Sequence, residues 1–292
     1  MSEPWTVRRV VEWAAGDLRG RGSTSPRLDA EVLLAHVLGV DRVRLIIDSA
    51  LPLGQDELGR YRALHQRRRA GEPVAYLIGM REFFGRPFRV DARVLVPRPE
   101  TELLVEVGLA RTRERSLSAR VLDLCTGSGC VAITLGRERP TTQVLATDLS
   151  EDALRVAADN ALRLGASNVA FQRADLFQGV ARPDGWFELI TANPPYIADG
   201  EEGELPVDVC AFEPRMALFA GSDGLDLVRR IVAEAPQRLA PGGVLAMEIG
   251  AGQAPAVRAL LEAEGFEEIE AARDLARHER VVSAKKKNAR AT

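Results

Sequence analysis

The segment Asn193-Pro194-Pro195-Tyr196 combines residue types that can hold a flat nitrogen group. It follows an apolar run, 187–191, that predicts a buried strand. The two prolines fix φ and lack N–H donors, so the turn is stiff. The side-chain carbonyl of Asn193 and the backbone carbonyl of Pro194 can each accept one hydrogen of an NH₂ group, and the Tyr196 ring can lie against its face. The pattern predicts a binding site for an amide or amine nitrogen, with a rigid turn that does no chemistry as the alternative.

Such a site answers a specific chemical difficulty. An amide nitrogen is a weak nucleophile because its lone pair is delocalised into the carbonyl group. Two acceptors that bind both hydrogens orient the nitrogen and stabilise the positive charge that develops on it during group transfer. Holding it in line with the reacting carbon supplies the remaining rate enhancement. Neither a metal ion nor a covalent intermediate is required, and we predict no metal site.

A glycine loop indicates where the transferred group comes from. Cys125, Thr126, Gly127, Ser128 and Gly129 follow a predicted strand directly, and Asp148 closes the next one. Glycines let the backbone turn sharply and approach a ligand closely. An acid at the end of the second strand can accept hydrogen bonds from both ribose hydroxyls of an adenosine-containing cofactor.

The loop alone leaves two cofactors open. Gly127-x-Gly129-x-x-Ala132 also fits the dinucleotide fingerprint, which is typical of nicotinamide oxidoreductases. The carboxylate of Asp123, just before the loop, suits the cationic methionyl end of S-adenosylmethionine and would repel a diphosphate. A tight turn without a ligand is the third interpretation. Together with the Asn193 turn, the loop favours methyl transfer from S-adenosylmethionine to a nitrogen.

The elements that position these residues alternate between strands and helices from Arg120 onward. This alternation predicts an α/β fold with a mostly parallel, doubly wound sheet. Taken with the glycine loop and the Asn193 turn, it is interpreted as the Rossmann-like class I methyltransferase arrangement. The predicted strands are 121–124, 143–147, 169–173, 187–191, 244–249, 266–271 and 280–282.

The pattern is helical from Trp5 to about Gly71, and residues 1–80 are predicted to form a helical bundle with no evident chemistry of its own. Residues 81–98 predict a linking β-hairpin, with strands over 83–90 and 93–96 joined at Asp91-Ala92. Residues 99–284 are assigned to the methyltransferase domain, and residues 285–292 to a basic tail.

Composition places the chain among ordinary globular proteins: 292 residues, net charge −3, and three cysteines, too few for a disulfide scaffold. Cys125 and Cys130 have no nearby histidine in the sequence, so buried reduced thiols are favoured over a zinc site. No apolar run is long enough to span a membrane, and no signal peptide is evident. We expect a cytoplasmic protein.

Residues 1–90 carry fifteen Arg against eleven Asp and Glu, whereas the chain as a whole is acidic. The excess is consistent with an acidic or RNA-bearing partner, but a solvated helix face is the favoured interpretation. All three lysines lie at 285–287.

The ordered motifs of this chain closely resemble those of the release factor glutamine methyltransferase family (PrmC, also called HemK). The likeness covers nearly the whole length, and the full set is far more specific than Asn-Pro-Pro-Tyr alone, which adenine-N6 DNA methyltransferases share. The motifs are 72–79, 82–85, 96–102, 193–196, 212–218, 223–225, 248–250 and 280–282.

The resemblance implies methylation of the side-chain amide nitrogen (N5) of the glutamine in the Gly-Gly-Gln motif of class 1 peptide-chain release factors. It implies that Asn193, Pro194, Pro195 and Tyr196 hold the glutamine, and that the helical bundle helps to grip the release factor. It also implies S-adenosylmethionine contacts, with S-adenosylhomocysteine as product. The implied cofactor residues are Cys125, Thr126, Gly127, Ser128, Gly129, Asp148, Asp175, Leu176, Asn193, Arg98 and Glu100.

Two alternatives remain within methyl transfer. A sister enzyme that methylates a glutamine of a ribosomal protein has the same target group. An adenine-N6 DNA methyltransferase would need a basic groove and a target-recognition domain, which a net acidic chain does not favour. We expect a monomer with no stable nucleic-acid or membrane association.

The chain also departs from the family pattern. Cys125 stands where the family often has glycine, so its backbone must avoid a positive φ or accept strain. Residues 274–280 lack a glycine that is common in that turn.

Overall fold

The structure is a computed structural model that describes residues 4–114 and 119–288. The chain forms two compact units. The first extends to Met80 and also includes Pro206–Phe212, and the second comprises Arg81–Leu205 and the chain from Glu213 onward.

The helices, in chain order, are α1 (Val7–Arg19), α2 (Pro26–Leu38), α3 (Arg42–Ile47), α4 (Gln55–Arg69), α5 (Val74–Ile78), α6 (Glu102–Arg111), α7 (Cys130–Glu138), α8 (Glu151–Leu164), α9 (Val207–Phe212), α10 (Asp226–Arg238) and α11 (Ala254–Ala263). The strands are β1 (Met80–Phe83), β2 (Arg86–Arg89), β3 (Arg120–Leu124), β4 (Gln143–Asp148), β5 (Val169–Arg173), β6 (Phe187–Ala192), β7 (Leu239–Glu248), β8 (Glu267–Arg273) and β9 (Glu279–Lys285).

Local signals in the sequence set the helix ends of the first unit. The Thr6 hydroxyl accepts a hydrogen bond from the Arg9 N–H at the start of α1, and a carboxylate oxygen of Asp41 caps α3. Gly39 ends α2 in the left-handed region, with φ of 67°. The helices bury an apolar core formed by α1, α2, α3, α4 and α5.

The short helix α9 belongs to the same unit although it lies far along the chain. Its Asp208 forms an ion pair with Arg68, which also binds the buried Asp29. Gly71 has φ of 98°, and a Cβ there would lie 3.2 Å from the Val207 side chain and 3.4 Å from that of Phe212. A larger residue would therefore meet both strain and a close contact at position 71.

The second unit is built on a seven-stranded sheet in the order β5-β4-β3-β6-β7-β9-β8. The first five strands of that order pair in parallel, and β9 runs antiparallel to both β7 and β8. Apolar clusters cover both faces of the sheet, one around Leu122 and Ile190 and the other around Val121 and Leu189. The predicted α/β fold with a mostly parallel sheet is confirmed.

The predicted position of the hairpin turn is wrong. β1 and β2 are joined at Phe84-Gly85, whose φ values are 51° and 69°, and Asp91 lies in a later turn closed by a bond from Val94 N–H. Two positive φ values are typical of a two-residue hairpin turn that usually carries Asn-Gly. Phe at the first position hides that signal. The Phe84 N–H is held by a Glu102 carboxylate oxygen at 2.7 Å.

Two further boundaries differ from the prediction. β7 begins at Leu239 rather than Val244, because Leu239 pairs with Phe187 before the register shifts. The lysines predicted to open a basic tail are held in the fold: Lys285 ends β9, and the Lys286 ammonium group donates to the carbonyl of Leu239. Residues 289–292 of that predicted tail lie outside the described residues. No helix in 4–114 or 119–288 is long and apolar enough to cross a membrane.

Candidate active site

A cleft lies at the carboxyl ends of β3, β4 and β6 in the second unit. It encloses about 1060 Å³ of space, including its open mouth. In an open parallel sheet, ligands bind outside the carboxyl ends of strands where the strand order reverses. Here β4 and β5 lie on one side of β3, and β6 and β7 on the other.

The structure brings most of the predicted site residues to this cleft. Those that line it are Arg98, Cys125, Thr126, Gly127, Ser128, Asp148, Asp175, Leu176, Asn193 and Pro195. The predicted residues that are not part of its lining are Glu100, Gly129, Pro194 and Tyr196. The roles assigned to all of them stay predictions.

The glycines of the loop have different tasks. Gly127, with φ of 54°, has no atom within 4 Å of where a Cβ would stand, so its backbone borders open space. Gly129, with φ of 81°, packs inward: a Cβ there would lie 2.8 Å from the Ile133 side chain and 3.1 Å from that of Ala157. Gly129 therefore lets the loop pack onto α7 and α8, whereas Gly127 leaves space for a ligand.

Asp148 is held in place by backbone donors. One carboxylate oxygen accepts the Gly127 N–H and the other accepts the Ser150 N–H, each at 2.9 Å. Burial raises the pKa of this carboxyl above its usual range, against the effect of these donors. Each oxygen retains acceptor capacity after one hydrogen bond, so the side chain can accept two hydroxyl groups from the cleft.

Two non-glycine residues of the cleft have a left-handed backbone. Cys125 has φ of 55° and Leu176 has φ of 52°. The departure at Cys125 is thus accommodated by strain rather than by a different loop path. Strained backbone of this kind concentrates at ligand sites. Burial raises the pKa of the Cys125 thiol, so it stays protonated and is a poor nucleophile.

Asp123 lies beneath the loop and is only 1% exposed. Its oxygens accept hydrogen bonds from the hydroxyls of Thr126 and Thr191, both at 2.7 Å. Burial raises its pKa to about 6, although these hydroxyls act in the opposite direction. Above that pH, Asp123 places a negative charge under the cleft, which favours a cationic ligand.

The hydroxyl of Thr101 orients the Asn193 side chain. Its NH₂ group donates to the Thr101 hydroxyl oxygen at 3.3 Å, so its carbonyl oxygen is left for the cleft that the residue lines. Pro194 and Pro195 behind it are buried. That Asn193 accepts a hydrogen bond from a bound nitrogen group stays a prediction.

Tyr196 is held at both ends. Its hydroxyl donates to Glu248 at 3.5 Å, and its backbone carbonyl accepts from the Gln253 side-chain amide at 3.0 Å. A Cβ on Gly224 would lie 2.2 Å from that carbonyl oxygen, so only glycine fits there. Burial raises the pKa of the Tyr196 phenol.

Arg98 forms an ion pair with Glu213 at 2.7 Å, and Glu213 is 5% exposed. Glu100, in contrast, is an exposed side chain. Asp175 pairs with Arg230 at 2.9 Å.

Sequence reasoning missed Thr101, Glu213, Glu248 and Gln253 as parts of the site. The first three lie inside the motifs 96–102, 212–218 and 248–250, which were the available signal. In the described part of the chain, no group of three or more His, Cys, Asp or Glu could hold a metal ion.

Both units match models of known protein families. Residues 9–79 match the family model of the PrmC N-terminal domain, and residues 100–208 match that of the methyltransferase small domain.

The chain is 44% identical over 289 residues to a release factor glutamine methyltransferase of Rhodopirellula baltica, with 97% of each chain covered. It is 41% identical over 283 residues to one of Geobacter sulfurreducens, with 97% of this chain and 98% of the relative covered. A solved methyltransferase structure from Pyrococcus furiosus has a TM-score of 0.51 at 18% identity and covers 77% of this chain and 98% of its own. That last likeness concerns the fold alone.

Proposed function

The chain belongs to the release factor glutamine methyltransferase family, and we propose that it methylates the side-chain amide nitrogen of the glutamine in the Gly-Gly-Gln motif of class 1 peptide-chain release factors. S-adenosylmethionine is the proposed methyl donor. The observation that carries the proposal is the orientation of Asn193: its NH₂ group is bound by Thr101, so its carbonyl oxygen is available in a cleft that Asp148 also lines.

The donor set of the cleft fits S-adenosylmethionine. Asp148 would hold the ribose hydroxyls. Each of its oxygens accepts one backbone N–H and keeps a second lone pair for a hydroxyl group. The open space beside Gly127 admits a ligand against the main chain. The charge of Asp123 favours the cationic donor over a dinucleotide diphosphate. When bound, S-adenosylmethionine supplies an electrophilic methyl group on a sulfonium centre.

The chain's own contribution to the reaction would be orientation and charge stabilisation. The carbonyl oxygens of Asn193 and Pro194 would accept both hydrogens of the glutamine amide. As positive charge develops on the nitrogen, the two acceptors stabilise it more than they stabilise the neutral amide, which lowers the barrier. We propose that the Tyr196 ring lies against the amide. Arg98, Cys125–Gly129, Asp175 and Leu176 are proposed to form the cofactor wall, with Glu100 at its margin.

We also propose that the helical unit recognises the release factor, and that the protein acts as a monomer in the cytoplasm. Light scattering of the purified protein tests the monomer. A dimer mass at micromolar concentration would contradict it.

Mass spectrometry of a purified release factor, incubated with this protein and S-adenosylmethionine, tests the function. We expect one added methyl group on the peptide that carries Gly-Gly-Gln, with an equal amount of S-adenosylhomocysteine. A release factor with this glutamine changed to Glu is the matched control and should gain nothing. An unmodified wild-type peptide would refute the proposal.

Parallel reactions separate the alternatives. Ribosomal proteins would gain the methyl group if the chain were the sister enzyme, and an adenine-containing DNA duplex would gain it if the chain acted on DNA. The net charge of −3 disfavours DNA. NADH binding in place of S-adenosylmethionine binding would favour the oxidoreductase interpretation.

A further inference from the structure

Glu248 is a buried acid that the proposed reaction does not use. It ends β7 beside the cleft and is 2% exposed. One of its oxygens accepts the Tyr196 hydroxyl, and the other has no hydrogen-bond partner. A buried carboxylate in this state destabilises the fold. A group of this kind in a native structure calls for an explanation.

The groups that lead from Asn193 to Glu248 form a hydrogen-bonding chain in which each donor points toward Glu248. The Asn193 NH₂ donates to the Thr101 hydroxyl oxygen, and the Thr101 hydroxyl lies close enough to the Glu248 carboxylate to lower its pKa. The Tyr196 hydroxyl donates to one oxygen of the same carboxylate. An ionised carboxylate is an acceptor only, so any hydroxyl that bonds to Glu248 must direct its proton toward it. Once its only hydrogen points toward Glu248, the Thr101 hydroxyl can act only as an acceptor toward Asn193, so it accepts a hydrogen bond from the Asn193 NH₂ group.

We infer that ionised Glu248 is a positioning residue that, through Thr101, turns the carbonyl oxygen of Asn193 toward the substrate nitrogen. The inference rests on the proposed function, in which that oxygen binds the glutamine amide. A protonated Glu248 can donate to Thr101, which can then donate to Asn193 and reverse its amide. The cleft would then present an NH₂ group to the substrate NH₂ group, and two donors cannot pair.

The surroundings of Glu248 make this switch accessible near neutral pH. Burial raises its pKa to about 7, while the Thr101 hydroxyl, the positive charge of Arg280 and the Tyr196 hydroxyl lower it and the negative charge of Glu100 raises it. The Cys130 thiol also senses the charge of Glu248. The titratable and charged groups around it are therefore Glu100, Cys130, Tyr196 and Arg280.

The test measures kcat against pH for the wild type and for Glu248→Gln, with cofactor and release factor saturating. We expect the wild-type kcat to rise about tenfold from pH 6 to pH 8 as Glu248 ionises. Glu248→Gln has nearly the same shape but can both donate and accept, so the chain loses its direction. Its kcat at pH 8 should be at least about tenfold lower, and flat with pH.

Two controls separate positioning from structure. Cofactor affinity by calorimetry should change less than about threefold in Glu248→Gln, since the affected groups contact the substrate amide. Glu188→Gln makes the same chemical change in β6, where Glu188 pairs with Arg120, and should keep the wild-type pH profile. If Glu248→Gln does not fold, Thr101→Val interrupts the same chain and should cause the same loss of kcat and of its rise with pH.

A wild-type pH profile in Glu248→Gln or Thr101→Val would overturn the inference and leave the proposed function intact. No methylation of the release factor by the wild type would overturn both.

Discussion

The two ends of the same sheet hold buried and half-buried acids in opposite ways. At the amino end of β6, Glu188 pairs with Arg120 at 2.5 Å; burial alone would raise its pKa, but the Arg120 hydrogen bonds outweigh that effect and lower it. At the carboxyl ends, Asp123, Asp148 and Glu248 have no ion pair with any Arg or Lys in the described residues, and burial raises the pKa of each.

The difference distinguishes an acid whose charge stabilises the fold from acids whose charge is available to bind a ligand. An acid paired with an arginine has little capacity left for a ligand, whereas an acid held by hydroxyls and N–H groups keeps both its charge and free lone pairs. The second arrangement destabilises the free protein, because the charge is desolvated without a counter-ion. Functional sites are expected to contain such perturbed groups.

Removing the side-chain carbonyl of Asn193, the proposed acceptor that follows β6, should have the largest effect on activity. We expect Asn193→Ala to lower kcat by about 10³-fold, because one of the two groups that stabilise the developing charge is lost. Cofactor affinity should stay within a few-fold of the wild type. Single-turnover methylation of the release factor and calorimetry measure the two quantities. Turnover at the wild-type rate would contradict the role of Asn193.

Changing Asp148 should affect binding rather than the chemical step. We expect Asp148→Ala to weaken S-adenosylmethionine binding by about 10²-fold, the loss of hydrogen bonds to a charged acceptor. Calorimetry measures it, and kcat at saturating cofactor should fall much less than in Asn193→Ala. Asp175, which pairs with Arg230 at the cleft wall, offers a comparison: Asp175→Ala should weaken binding less, since its charge is already neutralised.

The smallest expected effect is on the free energy of unfolding. Replacing an acid at the carboxyl end of the sheet should raise it, and replacing Glu188 at the amino end should lower it. The folded-state pKa of Asp123 is raised from 3.8 to about 6, so its ionisation destabilises the fold fully above pH 6 and not at all below 3.8. Asp123→Asn should therefore gain on the order of 3 kcal/mol relative to wild type at pH 8, and this gain should vanish as the pH falls toward 4.

Glu188 has the opposite linkage. Its pKa is lowered from 4.5, so the stability it contributes is present above that pH and is lost as the pH falls through the folded-state pKa. Glu188→Gln should lose about 1 kcal/mol at pH 8. Urea unfolding of both variants at pH 4 and pH 8 measures the contrast. Two variants that change in the same direction with pH would contradict it.

Periodic features of this fold could be predicted from sequence, because strands and helices repeat their apolar residues at fixed spacing. The parallel sheet and the strand before Asn193 were found in this way, and the glycine loop was found from its glycines and its place directly after a strand. The hairpin turn at Phe84-Gly85 was not, since the hydrogen bond that the Phe84 N–H donates to the Glu102 carboxylate is a tertiary contact. The interior polar partners Thr101 and Glu248 were also missed, because burial of a polar residue leaves no periodic trace. Which side of Asn193 faces the cleft depends on them.

The return of the chain into the helical unit at Pro206–Phe212 has a practical consequence. That unit cannot be isolated by cutting the polypeptide once after Met80. Such a fragment would lack Asp208, one of the two acids that pair with Arg68, and the side chains of Val207 and Phe212 that lie against Gly71. A fusion that supplies residues 206–212 through a short linker is therefore the appropriate fragment for binding measurements.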